Sequence, residues 1–236
     1  MNAAIFLSGG SGTRTGSDIP KQYTLAGEFM MATYAIRPLI ESERIDAVFL
    51  VIDPNYRGIL TRDIRKAGLD TGKIKGIALP GNNRQLSIYN GLKAVLDNIG
   101  DAEDTAVLIH DAARPYLTKE LLGRCFEALP GHDGVMPVLP MKDTVYLSED
   151  GKRVSSLLNR QEIFAGQAPE LFMLKKYYDA NTALLPEKII KINGASEPAV
   201  LAGMDIVMIP GDERNRKVTS PEDLKEFACL VNHGGE

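Results

Sequence analysis

The 236-residue sequence predicts an α/β fold, a three-layer sandwich around a mostly parallel sheet. Three observations lead there. Short apolar runs alternate with helix-like stretches along the chain. The runs lack the in–out alternation of a half-exposed strand, which implies burial on both faces. The stretches between them have the length of crossover helices, which pair successive strands in parallel. No segment repeats at a fixed period, so residues 1–236 read as a single domain.

The elements follow in order. Ala3-Ala4-Ile5-Phe6-Leu7 is the first strand, Tyr34 to Glu41 a helix, Ala47 to Ile52 the second strand, Tyr56 to Ala67 a helix and Ile74 to Leu79 the third strand, which is βαβαβ order. A helix from Arg84 to Asn98, a strand from Ala106 to Ile109, a helix from Lys119 to Leu129 and a strand from Gly134 to Val138 extend it. At Met141 the texture changes: Asp143 to Lys152 alternates about a Gly-containing turn and predicts a protruding β-arm at about 141–156. A lone hairpin cannot bury itself, so the arm is expected to pack on a second subunit, making a homodimer. A helix near Met173 to Leu184, a segment from Ser196 to Gly203 and a strand from Asp205 to Ile209 come next. The closing helix opens on Ser220 as N-cap, Pro221 at the first position, and Glu222 and Asp223 in the first turn.

Composition narrows the function. With 44% hydrophobic and 25% charged residues the chain is of ordinary globular composition, which excludes disorder and fibrous repeats. Lys plus Arg total 27 against 31 Asp plus Glu, a net charge of -4, so neither nucleic acid nor an anionic membrane is an expected partner and any anion site must be local. Cys125 and Cys229 supply neither a disulfide framework nor a zinc ligand set. The first apolar run is too short for a signal sequence or a span, and no later run reaches the ~18 residues of a membrane helix. A cytoplasmic protein is expected.

The first strand runs into Ser8-Gly9-Gly10-Ser11-Gly12-Thr13-Arg14-Thr15-Gly16, followed by Pro20-Lys21-Gln22. Glycines just past a parallel strand let backbone amides approach an anion closely, and Arg14 and Lys21 add positive charge, so this loop can grip a polyphosphate. It is not a Walker A loop, because no Gly-Lys-Ser/Thr follows, and Thr15 stands where a dinucleotide fingerprint needs its third glycine.

Gly9 to Arg14 with Pro20-Lys21-Gln22 resembles the opening of the cytidylyltransferases that activate sugar-alcohol phosphates with CTP, a group that includes the methylerythritol phosphate and ribitol-5-phosphate enzymes. Three further motifs match in order: Gly81-Asn82-Asn83-Arg84-Gln85-Leu86-Ser87, His110-Asp111-Ala112-Ala113-Arg114-Pro115, and Asn215-Arg216-Lys217-Val218-Thr219. The resemblance covers essentially the whole chain and implies a Rossmann-like nucleotidyltransferase fold. It implies nucleotide contacts at Ser8, Gly9, Gly10, Gly12, Thr13, Gly81, Arg84, Ser87 and Ala112, and catalytic roles for Arg14, Lys21 and Lys217. It implies acceptor contacts at Arg114, Asp143, Thr144 and Arg160, in part across the dimer. Asp111, at the C-terminal end of an apolar strand, is the expected anchor for Mg²⁺ beside a triphosphate. Cationic side chains would neutralise the phosphates as an acceptor phosphate oxygen attacks and pyrophosphate leaves, so no covalent nucleophile is needed and His110 is expected to be structural.

The chain departs from the family pattern at Ala168 and Glu170, where the family has Thr and Gln, at Asn193-Gly194, which replaces a Thr-Asp pair, and at Arg216, where an aliphatic residue is usual. These edits are read as falling on the acceptor side. The acceptor is expected to be ribitol 5-phosphate or a related pentitol phosphate, with methylerythritol phosphate as the alternative. A catalytically silent paralogue would have lost the phosphate residues that this chain keeps. A nicotinamide-dependent oxidoreductase would end its second strand on a ribose-binding acid, a part that neither Glu41 nor Asp53 plays.

Overall fold

The computed structural model describes residues 1–10, 19–99 and 104–232. In chain order its elements are β1 (Asn2–Leu7), β2 (Leu25–Ala26), β3 (Phe29–Met30), α1 (Met31–Glu41), β4 (Ala47–Val51), α2 (Pro54–Lys66), β5 (Ile74–Ala78), α3 (Arg84–Ile99), β6 (Ala106–Asp111), α4 (Lys119–Ala128), β7 (Gly134–Pro140), β8 (Val145–Leu147), β9 (Ser156–Leu158), β10 (Phe164–Gly166), β11 (Glu170–Met173), α5 (Leu174–Thr182), α6 (Glu197–Leu201), β12 (Ile206–Pro210) and α7 (Pro221–Asn232). β1 lies between β4 and β6 and is parallel to both, with Ile5 opposite Phe49 on one side and Ile109 on the other. β5 continues the parallel run beyond β4. Beyond β6 comes β11, antiparallel to it, and then β7, which pairs with β10 and β11 along one edge and with β12, parallel, along the other.

Every residue of β4 and of β6 is buried, as the unbroken apolar runs require. Alternate side chains enter two cores. Phe6, Val48, Leu50 and Leu108 join α1, α2 and α4 on one face, while Ile5, Phe49, Val51, Ile109 and Phe172 join α3, α5 and α6 on the other. Helix starts are set by local polar chemistry. The Asp53 carboxylate accepts from the Asn55 amide before α2, Thr118 Oγ1 from Leu121 before α4, and Asn83 Oδ1 from Leu86 at the head of α3. At α7 the Ser220 hydroxyl accepts from the Asp223 amide and the Asp223 carboxylate accepts from the Ser220 amide, a reciprocal cap.

The strands and helices stand near where the periodicity puts them; besides the unforeseen edge strand β10 and shifts of a few residues at element ends, four differences matter. β6 runs on to Asp111 rather than stopping at Ile109, because Leu7 remains a pairing partner there. β11 precedes α5 with no turn between them and is antiparallel, where only a helix start was expected. The arm is longer than 141–156, since its return strand is β9 and Tyr146 faces Leu157 across a separate two-stranded sheet. The pair β2–β3, two residues each, was not foreseen.

Candidate active site

The register of the sheet brings the chemistry together. Asp111 is the last residue of β6, and Ile109, two residues before it, contributes to the core beneath α3. Asp111 therefore projects on that same face, towards Arg84 at the first turn of α3. Glu170 of β11 is paired with Ile109 and so shares the face too. Arg84 Nη2 lies 2.8 Å from one oxygen of Asp111 and Lys217 Nζ 3.0 Å from the other. The carboxylate is 7% exposed. Burial alone would raise its pKa, but the Arg84 and Lys217 charges override that and hold it well below the usual carboxylate range. Two motifs separated by more than a hundred residues thus meet on one carboxylate.

Glu170, one of the departures from the family pattern, is a buried neighbour of this pair. Its Oε2 is buried without a hydrogen-bond partner among the described residues. Burial pushes its pKa up to about 7, opposed by the Arg84 charge and reinforced by Asp111. Ala168, the other edit in this segment, is also buried, and its carbonyl accepts from the Asn215 side chain. Both edits therefore lie in the interior beneath the Arg84–Asp111–Lys217 cluster. Nothing in the sequence alone marks positions 168 and 170 as buried.

The glycine loop after β1 and the segment after β5 press against each other. A Cβ on Gly9 would stand 2.3 Å from Pro80 Cγ, so a side chain there would force the two loops apart, and one on Gly81 would stand 2.4 Å from Leu86 Cβ, pushing its loop off the head of α3. The Gln22 side chain donates to the carbonyls of Ser8 (2.9 Å) and Gly10 (2.7 Å), and Tyr23 Oη donates to the Ser8 carbonyl. Ser8 is itself buried, its hydroxyl donating to Tyr23 Oη. Ser87 Oγ accepts from the Gly81 amide and donates to the Asn83 carbonyl, which ties the second loop to α3. Ala112 is buried, its amide bonded to the Leu7 carbonyl. Gly12, Thr13 and Arg14 lie outside the described residues.

Lys21 donates to the Val218 carbonyl at 2.6 Å, and the Val218 amide to the Ala113 carbonyl, so the closing segment bridges the first and third motifs. Arg114 Nη1 donates to the Asn215 carbonyl at 2.7 Å. His110 is fully buried against Phe6, with Nε2 3.1 Å from the Arg114 carbonyl. Burial drives its pKa down to about 4, which leaves a neutral ring bracing the turn at Arg114. Asp143 and Thr144 are exposed at the root of the arm, and Arg160 donates to the Lys142 carbonyl there. The chain does not by itself bring these three to Asp111. Asp212 and Glu213 pair with Arg214 and Lys142 rather than joining Asp111.

A cation fits at Asp111 only in one manner. Among the described residues no three His, Cys, Asp or Glu side chains cluster as a protein-built cage. A single carboxylate at a strand end, as Asp111 is, would suit a divalent cation carried mainly by phosphates and water rather than by the protein. A separate cleft of about 840 Å³ between α4 and residues 211–214 mixes Lys119, Arg124 and Arg214 with Glu120, Glu127, Asp212 and Glu213, a lining that does not select an anion. No described helix is long and apolar enough to cross a membrane.

The family described as IspD, 2-C-methyl-D-erythritol 4-phosphate cytidylyltransferase, matches residues 2–232. Over 228 residues the chain is 33% identical to the 2-C-methyl-D-erythritol 4-phosphate cytidylyltransferase of Rubrobacter xylanophilus, covering 94% of this chain and 90% of that one. It is 28% identical over 232 residues to the ribitol-5-phosphate cytidylyltransferase of Lactiplantibacillus plantarum, covering 98% of each. It spans 57% of the bifunctional enzyme IspD/IspF of Paramagnetospirillum magneticum, at 32% identity over 98% of this chain. The crystal structure of 4-diphosphocytidyl-2C-methyl-D-erythritol synthase from Anaerococcus prevotii superposes with a TM-score of 0.81 at 25% identity, over 98% of this chain and 96% of that one.

Proposed function

The chain belongs to the IspD cytidylyltransferase family, and from that premise we propose that it transfers a cytidylyl group from CTP to a sugar-alcohol phosphate, forming a CDP-polyol and pyrophosphate. The observation that carries this reading is the Asp111 carboxylate shared between Arg84 and Lys217 beside the glycine loop. A phosphate oxygen of the acceptor attacks the α-phosphorus of CTP. The bond from that phosphorus to the bridging oxygen breaks, and pyrophosphate leaves with the electron pair. The acceptor phosphate is already ionised at neutral pH, so the protein's task is to position the reactants and neutralise developing charge. That task on the triphosphate is assigned to Lys217 and Lys21, joined by Arg14. Arg84 and the tight loops at Ser8–Gly10 and Gly81–Ser87 seat the nucleotide, against Ala112 at the end of β6. Asp111 would hold Mg²⁺, which when bound draws charge from the phosphates.

Arg114 is assigned to the acceptor phosphate, joined by Asp143, Thr144 and Arg160 from the arm of a second copy. An exposed arm whose β8–β9 sheet pairs with no other strand among the described residues supports a homodimer. The acceptor proposed is ribitol 5-phosphate or a related pentitol phosphate, in keeping with the L. plantarum relative. Methylerythritol 4-phosphate is the second reading, favoured by the family match. Product analysis tests both. Purified protein given CTP, Mg²⁺ and one of the two acceptors should yield a CDP-polyol by mass spectrometry, and Lys21→Ala should cut its rate by about a hundredfold or more while the fold persists. Full activity in Lys21→Ala would refute the role given to that lysine.

A further inference from the structure

Gln167 and Asn215 form a buried pair of carboxamides between the β10–β11 link and the loop that delivers Lys217. Gln167 is 5% exposed and Asn215 fully buried. A glutamine offers one acceptor and two donors, and here all three are used. Oε1 accepts from the Asp212 amide at 3.0 Å, while Nε2 donates to the carbonyls of Asp212 (3.0 Å) and Asn215 (3.4 Å). The side chain thus treats the loop backbone as a neighbouring strand would. Asn215 returns the grip, its Nδ2 donating to the Ala168 carbonyl at 2.7 Å. The fit is close: a Cβ on Gly211 would stand 2.3 Å from Gln167 Oε1, so the loop reaches this glutamine only because residue 211 has no side chain.

Both ends of the site hang on this clamp. The Asn215 carbonyl that receives Gln167 also receives Arg114, the guanidinium assigned to the acceptor. Two residues further on, Lys217 meets Asp111, and the next carbonyl receives Lys21. None of the clamping groups is charged, and burial shields them from water, so their hold depends on neither salt nor neutral pH. We propose that Gln167 is a positioning residue, whose buried carboxamide fixes the 211–218 loop so that Lys217 and Arg114 face the reacting phosphates together. This rests on the cytidylyltransferase reading and deepens it.

A double-mutant cycle in the full chain tests the proposal, with the affinity for CTP and Mg²⁺ measured by calorimetry and folding followed by melting. Gln167→Leu should weaken CTP binding about tenfold in the parent chain, but less than about twofold when Lys217 is already Ala, because its action runs through that lysine. Equal losses in both backgrounds, or no loss in either, would overturn the clamp. Should Gln167→Leu fail to fold, Gly211→Ala, which pushes the loop off the glutamine, takes its place in the same cycle. If Lys217→Ala alone left CTP binding unchanged, the cytidylyltransferase role of Lys217 and the clamp would fall together. If Lys217→Ala weakened binding and the two losses merely added, the clamp alone would fall.

Discussion

A carboxyl group near three cations ordinarily ionises with ease, yet Glu170 keeps its proton to about pH 7 because burial outweighs Arg84, Arg114 and Lys217. The consequence for stability has a definite sign. The folded chain binds this proton more tightly than the unfolded chain, so the contribution is whole below the ordinary glutamate pKa and is lost as pH rises through about 7. Glu170→Gln, which cannot ionise, should therefore gain on the parent by about 2 kcal/mol between pH 5 and pH 8, read from urea midpoints. A gap that stays constant with pH would show that Glu170 carries no raised pKa. Asp111, Arg84, Lys21 and Lys217 could be singled out in the sequence because each sits in a motif, Asp111 at a strand end, Arg84 at a helix start and the two lysines on loops. The burial of Gln167 and Glu170 was not legible, because polar residues flanking a proline carry no apolar pattern, and only the antiparallel insertion of β11 beside β6 turns them inward.

At the scale of elements, the helices and parallel strands were readable from period and apolar run length, and α7 from its capping residues. The arm was readable as a hairpin but not in its register, because the stretch from Ser148 to Ser155 has several equally polar places to turn. β11 was hidden, since four residues leading straight into a helix carry too short a pattern to register as a strand. The arm makes its own prediction. Tyr146 and Leu157 face each other across β8–β9 and are 56% and 65% exposed, a large apolar surface for a hairpin left in water. Tyr146→Asp with Leu157→Asp should convert the protein from two copies to one in sedimentation and lower activity, since Asp143, Thr144 and Arg160 then have no second copy to serve. A parent that sediments as a monomer would contradict the dimer.

Across the whole molecule, parallel strands with helices on both faces were legible, and their order was not. Nothing in the sequence says that β6 returns to lie beside β1, or that β11 enters between β6 and β7. That order is what sets Asp111 and Glu170 side by side under α3 and lets the 211–218 loop close over the ends of β1 and β6. The site is thus a product of topology acting on motifs that are individually simple: a glycine turn, a helix that opens on arginine, a carboxylate at a strand end, a lysine on a closing loop. The central claim, that these parts join CTP to a polyol phosphate, is tested most directly by pyrophosphate release from the purified protein with CTP and Mg²⁺, offered ribitol 5-phosphate and methylerythritol 4-phosphate in parallel. The account predicts release that depends on one of these acceptors and matches the CDP-polyol formed mole for mole. Release that proceeds equally without acceptor, or none with either acceptor, would contradict it.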